Sequence, residues 1–419
     1  MSTNLRVLSN EEIALINNIG EAMKKEGIFA FKNVDSKGKP LREWENLKLL
    51  IEHHGIKVVL NSISKQVEIQ GLETKDFDSC VCDIHSLCMK NEFAMPLDSI
   101  GRLVNRISVA NEYNPVTEYL TEAYNEWDKE VGRIQRVCDS LVTDVYFSRF
   151  FKDKLVRKWL VNAVMIPFNT GESNTEGVLI LQGAQGKGKT TWIKSLIPAE
   201  LKPYFKEGMR LVVSDKDSVY ESISNWIVEL GELDGTLKKD QAGLKAFFNR
   251  QLDVQRRPYD RSTTSFPRRT AFFGTVNKDE FLKDETGDRR YWVIPVTDIK
   301  RGVLEKDEIK QFWGEVMHLW KSGEMPHYLD QLELETLHES NSSYRETTPT
   351  EINIENGFDW SVPESEWTYK KAAEIRATLN IKASKGFRAA IESFGAKYNR
   401  NNSGTVYLTP PYRNDIPLL

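Results

Sequence analysis

Eight residues near the middle of the chain, Gly183-Ala184-Gln185-Gly186-Lys187-Gly188-Lys189-Thr190, have the types and spacing that hold phosphate. The glycines let the backbone bend so that successive N–H groups converge on phosphate oxygens. Lys189 is then placed to reach the β- and γ-phosphates, and the Thr190 hydroxyl to ligate Mg²⁺. With Lys187 and Thr191 beside them, these residues make a candidate ATP site. A glycine-rich turn can also arise by chance, so the flanks decide. Residues 177–182, Gly-Val-Leu-Ile-Leu-Gln, predict a short buried strand. Residues 191–196 predict a helix whose N-terminal dipole favours negative charge and which Pro198 stops.

Hydrolysis needs more parts. A carboxylate must hold Mg²⁺ at a strand end, and another must orient the attacking water. The segment Trp226-Ile227-Val228-Glu229-Leu230-Gly231-Glu232 supplies a buried strand with Glu229 at its end and Glu232 close behind. Which acid does which stays open. A second predicted strand, 269–277, ends in Thr275-Val276-Asn277, whose amide could bind the attacking water or a phosphate oxygen. Arg289 and Arg290 precede a third strand, 291–296, and a guanidinium there could stabilise transition-state charge from a neighbouring subunit. Each part also has an ordinary reading, as an acidic loop, a turn asparagine or a solvated arginine. Their order behind the phosphate loop gives them weight.

Between the acids and Asn277 lies a basic stretch containing Arg256, Arg257, Tyr259 and Arg261, followed by Arg268 and Arg269. Arginines with an interleaved tyrosine suit contact with a phosphate backbone and stacking on a base. An ordinary charged hairpin is the alternative.

The elements around these residues divide the chain. Its 419 residues predict two or three domains, and 40% apolar with 28% charged content describes a globular protein. A net charge of −4 makes any nucleic-acid surface local. No apolar run approaches bilayer length and no signal-peptide core opens the chain, so a cytoplasmic protein without membrane contact is expected. Residues 1–75 read as a small α+β unit, with a helix at 11–25 and a strand at 28–31. Residues 76–168 read as a helical region, in which an aromatic stripe including Phe147, Phe150, Phe151 and Trp159 is expected to be core. Residues 169–335 read as an α/β core with a parallel sheet, 336–365 as a linker and 366–419 as a compact tail. Cys80, Cys82, His85 and Cys88 do not follow a usual zinc spacing, and a helix burying Ile84, Leu87 and Cys88 accounts for most of the pattern.

The series of phosphate loop, Trp-Ile-Val-Glu-Leu-x-Glu-Leu, Arg-x-Pro-Tyr, Thr-x-Asn and Gly-x-Arg-Arg-Tyr-Trp resembles the virulence-associated protein E family over residues 83–296. That family is carried by phages and integrated islands, and belongs with superfamily 3 helicases of the AAA+ class of P-loop NTPases. The resemblance implies an ATP- and Mg²⁺-dependent DNA helicase that helps start replication as a ring-shaped hexamer on single-stranded DNA. It implies phosphate and metal contacts at Lys189 and Thr190, acids at Glu229 and Glu232, a sensor at Asn277, and a trans-acting finger at Arg289 or Arg290. The basic stretch stands where such helicases carry a DNA-touching hairpin. Many relatives carry a primase-like domain upstream; this N-terminal region is short for one, so primer synthesis is not expected.

The tail, 367–419, holds nine Lys/Arg against three Asp/Glu. Two expected helices, 370–379 and 384–394, precede a hairpin-like stretch. A winged helix would set Lys382, Lys385, Arg388 and Arg400 toward phosphate, including origin double-stranded DNA; a helical cap is the alternative. Two other readings of the whole remain, an initiator or regulatory switch without unwinding and an ATPase acting on protein partners in host interference.

Overall fold

The protein is described here by a computed structural model covering residues 30–231, 233, 237, 241–255, 263–282, 288–344, 347–382, 386–401 and 404–413. The helix expected at 11–25 and most of the strand expected at 28–31 lie outside them.

Five strands form the centre: Val178–Gln182 (β1), Phe205–Met209 (β2), Ile227–Leu230 (β3), Ala271–Val276 (β4) and Tyr291–Pro295 (β5). They pair in parallel, in the order β5-β1-β4-β3-β2. Every residue of β1 and β3 is buried, as in a parallel sheet covered on both faces. Alternate side chains enter two separate cores. Leu179, Leu181, Ile227, Phe273, Trp292 and Ile294 pack with the helices Arg149–Met165 and Glu308–Lys321. Val178, Ile180, Val228, Phe272, Tyr291 and Val293 pack with Lys216–Ile223 and Gln241–Phe248 on the other face. Buried indoles find acceptors within this packing: Trp159 donates to Phe272 O, Trp226 to Ala163 O and Trp313 to Leu196 O. The expected aromatic stripe is core at Phe151 and Trp159, but Phe150 is 71% exposed because it faces outward on the same helix, under the Lys154 ammonium.

The N-terminal unit is larger than the sequence suggested. Helices Trp44–His53, Phe77–Lys90 and Leu97–Ala110 share one core over the strands Lys57–Asn61 and Val67–Gln70. The first two helices of the 76–168 region share the core of this unit, and the later ones contribute to the core beneath the central sheet. Cys88 is buried in that core, Cys80 is buried with its thiol donating to Thr74 O at 3.3 Å, and Cys82 is exposed, so the cysteines do not converge. Burial pushes the Cys88 thiol up to about 11.

The stretch expected as a linker is mostly helical. Helix Gln331–Ser342 buries Leu337 in the central core, and Asn341 donates to Tyr291 O at 2.9 Å. Helix Pro349–Gly357 contributes Ile354 to a C-terminal core shared with the tail. That tail consists of the strand Thr368–Lys371, helices Ala372–Thr378 and Phe387–Ser393, and the hairpin Lys397–Asn401/Gly404–Thr409, in one antiparallel sheet. Among the described residues no helix is long and apolar enough to cross a membrane.

Lys65 docks the N-terminal unit on the centre. It is 3% exposed, and its ammonium donates to Ile63 O and Ile223 O. Burial lowers its pKa from 10.5 to about 7, Asp253 opposing and Arg269 and Arg268 assisting. A lysine depressed in the folded state binds fewer protons there than when unfolded, so stability gains as pH rises through the window between those values. Urea denaturation of wild type and Lys65→Met from pH 7 to 10 should show the difference in stability moving in favour of wild type. A difference independent of pH would contradict this placement of Lys65.

Candidate nucleotide-binding site

The phosphate-loop residues stand at the C-terminal edge of the sheet. Gly183 leaves β1 with φ 154°, and a Cβ there would lie 2.2 Å from Val296 O. Gly186 and Gly188 have φ 82° and 88°, the left-handed region that glycine enters without strain. Gly188 caps the helix Lys189–Ser195, so Thr190 and Thr191 open that helix.

Lys189 is buried and folds back over the loop, donating to Gly183 O at 2.6 Å, Ala184 O at 2.9 Å and Asn277 Oδ1 at 2.9 Å. Among the described residues no carboxylate pairs with it. Burial therefore lowers its pKa below the ordinary lysine value. An ammonium so placed carries an uncompensated charge facing the phosphate loop.

Thr190 donates to Glu229 Oε1, which also accepts from the Thr275 hydroxyl at 3.2 Å. The other oxygen accepts from Gly208 N–H at 3.1 Å, and Glu229 is 2% exposed. The predicted strand-end acid thus lies against the predicted metal-binding hydroxyl, oriented by β4 and by the chain of β2. Thr275 was visible as part of the strand ending but carried no signal of this role, and Gly208 carried none. Two hard oxygen donors side by side suit Mg²⁺. Asn277 follows β4, which lies between β1 and β3, so it stands between the strand of Gly183 and the strand of Glu229. Lys187 has no hydrogen-bond or ion-pair partner among the described residues. Glu232 lies outside them.

The arginine pair is separated by burial. Arg290 is 9% exposed and donates from Nε to Asn249 at 2.7 Å, with its pKa lowered first by burial and then by Arg289. Arg289 is exposed. Both precede β5, whose first residue pairs with Val178 and whose last pairs with Gln182. They stand at the opposite edge of the sheet from the phosphate loop, about 16 Å away at the usual strand rise. In this chain they do not join Lys189.

The basic stretch forms the hairpin Leu252–Gln255/Thr264–Pro267, leading straight into β4. Its tip, with Arg256, Arg257, Tyr259 and Arg261, lies outside the described residues, as does Lys385 of the tail. Arg268 and Arg269 depart from the sequence reading. Arg268 is 1% exposed and binds Asp253 through two bonds of 2.5 and 2.7 Å, against the Phe247 ring. Arg269 pairs with Glu112 at 3.0 Å. Arg268 holds the hairpin base, whereas Arg269 ties the chain after the hairpin to Glu112 and the N-terminal unit. In the tail, Lys382, Arg388 and Arg400 are exposed. Arg388 lies 4.0 Å over the Tyr398 ring and pairs with Glu392 at 2.9 Å, joining the second tail helix to the hairpin.

The model of the virulence-associated protein E-like domain matches residues 121–346, just over half of the chain. The chain belongs to the virulence-associated protein E-like family. The matched region starts and ends later than the motifs suggested, taking in the helices that follow β5. Among solved structures, the chain is similar to the apo NrS-1 C-terminal region (305–718) at 12% identity and TM-score 0.49, covering 87% of this chain and 98% of that one. The A form of the NrS-1 C-terminal region gives 13% identity and TM-score 0.44 over 88% and 99% of the two chains. No curated protein matches.

The hairpin base gives a direct test. Asp253→Ala leaves the Arg268 guanidinium buried without its carboxylate, which costs about 3–5 kcal/mol. Urea denaturation at neutral pH should show that loss, whereas a change below about 1 kcal/mol, the range of surface ion pairs, would contradict the buried pair.

Proposed function

We propose that this chain is an ATP-driven DNA helicase or translocase that helps start replication of a phage or integrated mobile element. The carrying observation is the convergence of Lys189, Thr190, Glu229 and Asn277 at one edge of a parallel sheet. Lys189 offers the charge for the β- and γ-phosphates, and the loop N–H groups hold the rest of the polyphosphate. Thr190 and Glu229 hold Mg²⁺, which when bound neutralises charge on the phosphate oxygens. Asn277 spends its oxygen on Lys189, leaving its NH₂ for a phosphate oxygen or the attacking water. Thr275 and Gly208 keep Glu229 in place, so its carboxylate needs no reorganisation.

Two features support DNA as the partner. The hairpin leads into β4 at its start, and Asn277 leaves β4 at its end, so one buried strand would link the proposed sensor to the hairpin proposed to meet DNA. The tail has the helix–strand–helix–helix–hairpin order of a winged helix, with Lys382, Arg388 and Arg400 exposed for phosphate. An exposed Arg289 at the far edge of the sheet suits a finger that completes the site of a neighbouring subunit in a ring, and a hexamer is the assembly proposed.

Mixing tests this arrangement. Lys189→Ala and Arg289→Ala should each lose ATP hydrolysis, while Arg289→Ala still binds ATP. An equimolar mixture should regain activity, because some interfaces pair an intact Lys189 with an intact Arg289. A mixture as inactive as its parts would remove the trans assignment. Failure of wild type to separate the strands of a forked DNA with ATP would remove unwinding.

A further inference from the structure

A cation that the motifs do not mark stands against the phosphate loop. The guanidinium of Arg301 lies 3.4 Å (Nη2) and 3.6 Å (Nε) from where a Cβ on Gly188 would be. Arg301 is exposed, and among the described residues it has no hydrogen-bond or ion-pair partner. Its backbone, in contrast, is fixed. After β5 the chain turns into the short strand Asp298–Ile299, which pairs antiparallel with Leu141–Val142. Thr297 N–H donates to Val142 O and Lys300 N–H to Ser140 O, each at 2.9 Å. On the far side, Arg136 donates to Val303 O at 3.1 Å. Ser140 also accepts, through its hydroxyl, the Trp192 indole N–H of the phosphate-loop helix at 2.8 Å. One buried serine therefore ties both the segment of Arg301 and the helix that Gly188 caps.

We infer that Arg301 is a nucleotide-binding residue supplied by the same chain, clamping the α- and β-phosphates from the outer side of Gly188. This rests on the reading of the loop as an ATP site. A guanidinium is always charged, presents a planar fork of donors that matches phosphate oxygens, and is weakly hydrated. Here it is held over the part of the loop whose N–H groups cradle the α- and β-phosphates, with its donors unspent. Lys189 addresses the γ end. Arg301 addresses the portion that ATP and ADP share, so it should hold both nucleotides equally.

The test is equilibrium binding of fluorescent ATP and ADP analogues, with Mg²⁺, to the full chain as wild type, Arg301→Ala and Arg301→Lys. Unchanged thermal midpoints without nucleotide would establish that the variants fold. Arg301→Ala should weaken both nucleotides about tenfold, in line with loss of a charge-assisted bond, and lysine should restore only part of it. Equal affinity in wild type and Arg301→Ala would overturn the inference and leave the ATP site intact. A loss confined to ATP would overturn it also, because it would put the contact at the γ-phosphate. Failure of wild type to bind either nucleotide would overturn the site itself and this inference with it.

Discussion

The whole arrangement depends on β4 being paired between β1 and β3. The phosphate loop leaves the end of β1, Glu229 sits in β3, and Asn277 ends β4 between them. Neighbouring strands are about 4.8 Å apart, so three consecutive parallel strands bring three chain segments, distant in sequence, within the reach of one small ligand. The register is hard to move. Residues on both faces of β4 are buried in two different cores, and a shift by one would exchange Phe272 and Phe273 between them. Gly274 adds a steric limit, since a Cβ there would meet Leu233 at 2.8 Å.

Charge is the second constraint, and the buried cations show how it is met. Lys158 is neutralised by Glu333 at 2.7 Å, and Arg268 by Asp253. Those pairs hold structure together. Lys65 is bonded to backbone carbonyls and responds to burial by losing its proton near neutral pH. Lys189 is also bonded to carbonyls, but it stands at the sheet edge beside a turn of exposed residues, where an anion can approach. On the proposed reading, an arriving phosphate would offset the cost of burying its charge. Access for an anion is what sets Lys189 apart from Lys65 and Lys158.

Much of this could be read from the chain because it is local. The glycine spacing of the phosphate loop, the apolar run before it, and the strand endings at Glu229 and Asn277 each depend on residues close in sequence. Burial is not local, and there the sequence was less informative. Arg268 and Arg269 looked like their basic neighbours, yet one is locked to Asp253 and the other to Glu112. Arg289 and Arg290 could not be separated until Asn249 was seen to hold the second. Arg301 gave no signal, since its closeness to Gly188 arises from a pairing between the chain after β5 and residues near Ser140. The helices within 336–365 could have been found: Asp330 with Glu333, and Thr348 with Glu351, are capping boxes, outweighed by the polar composition around them.

The central claim is that a nucleotide site and a DNA surface are coupled through β4. It is tested most directly by measuring ATP hydrolysis by wild type and Lys189→Ala, each with and without single-stranded DNA. The account predicts hydrolysis by wild type that single strands strongly stimulate, and none by Lys189→Ala in either condition. Hydrolysis by wild type at the same rate with and without DNA would contradict it.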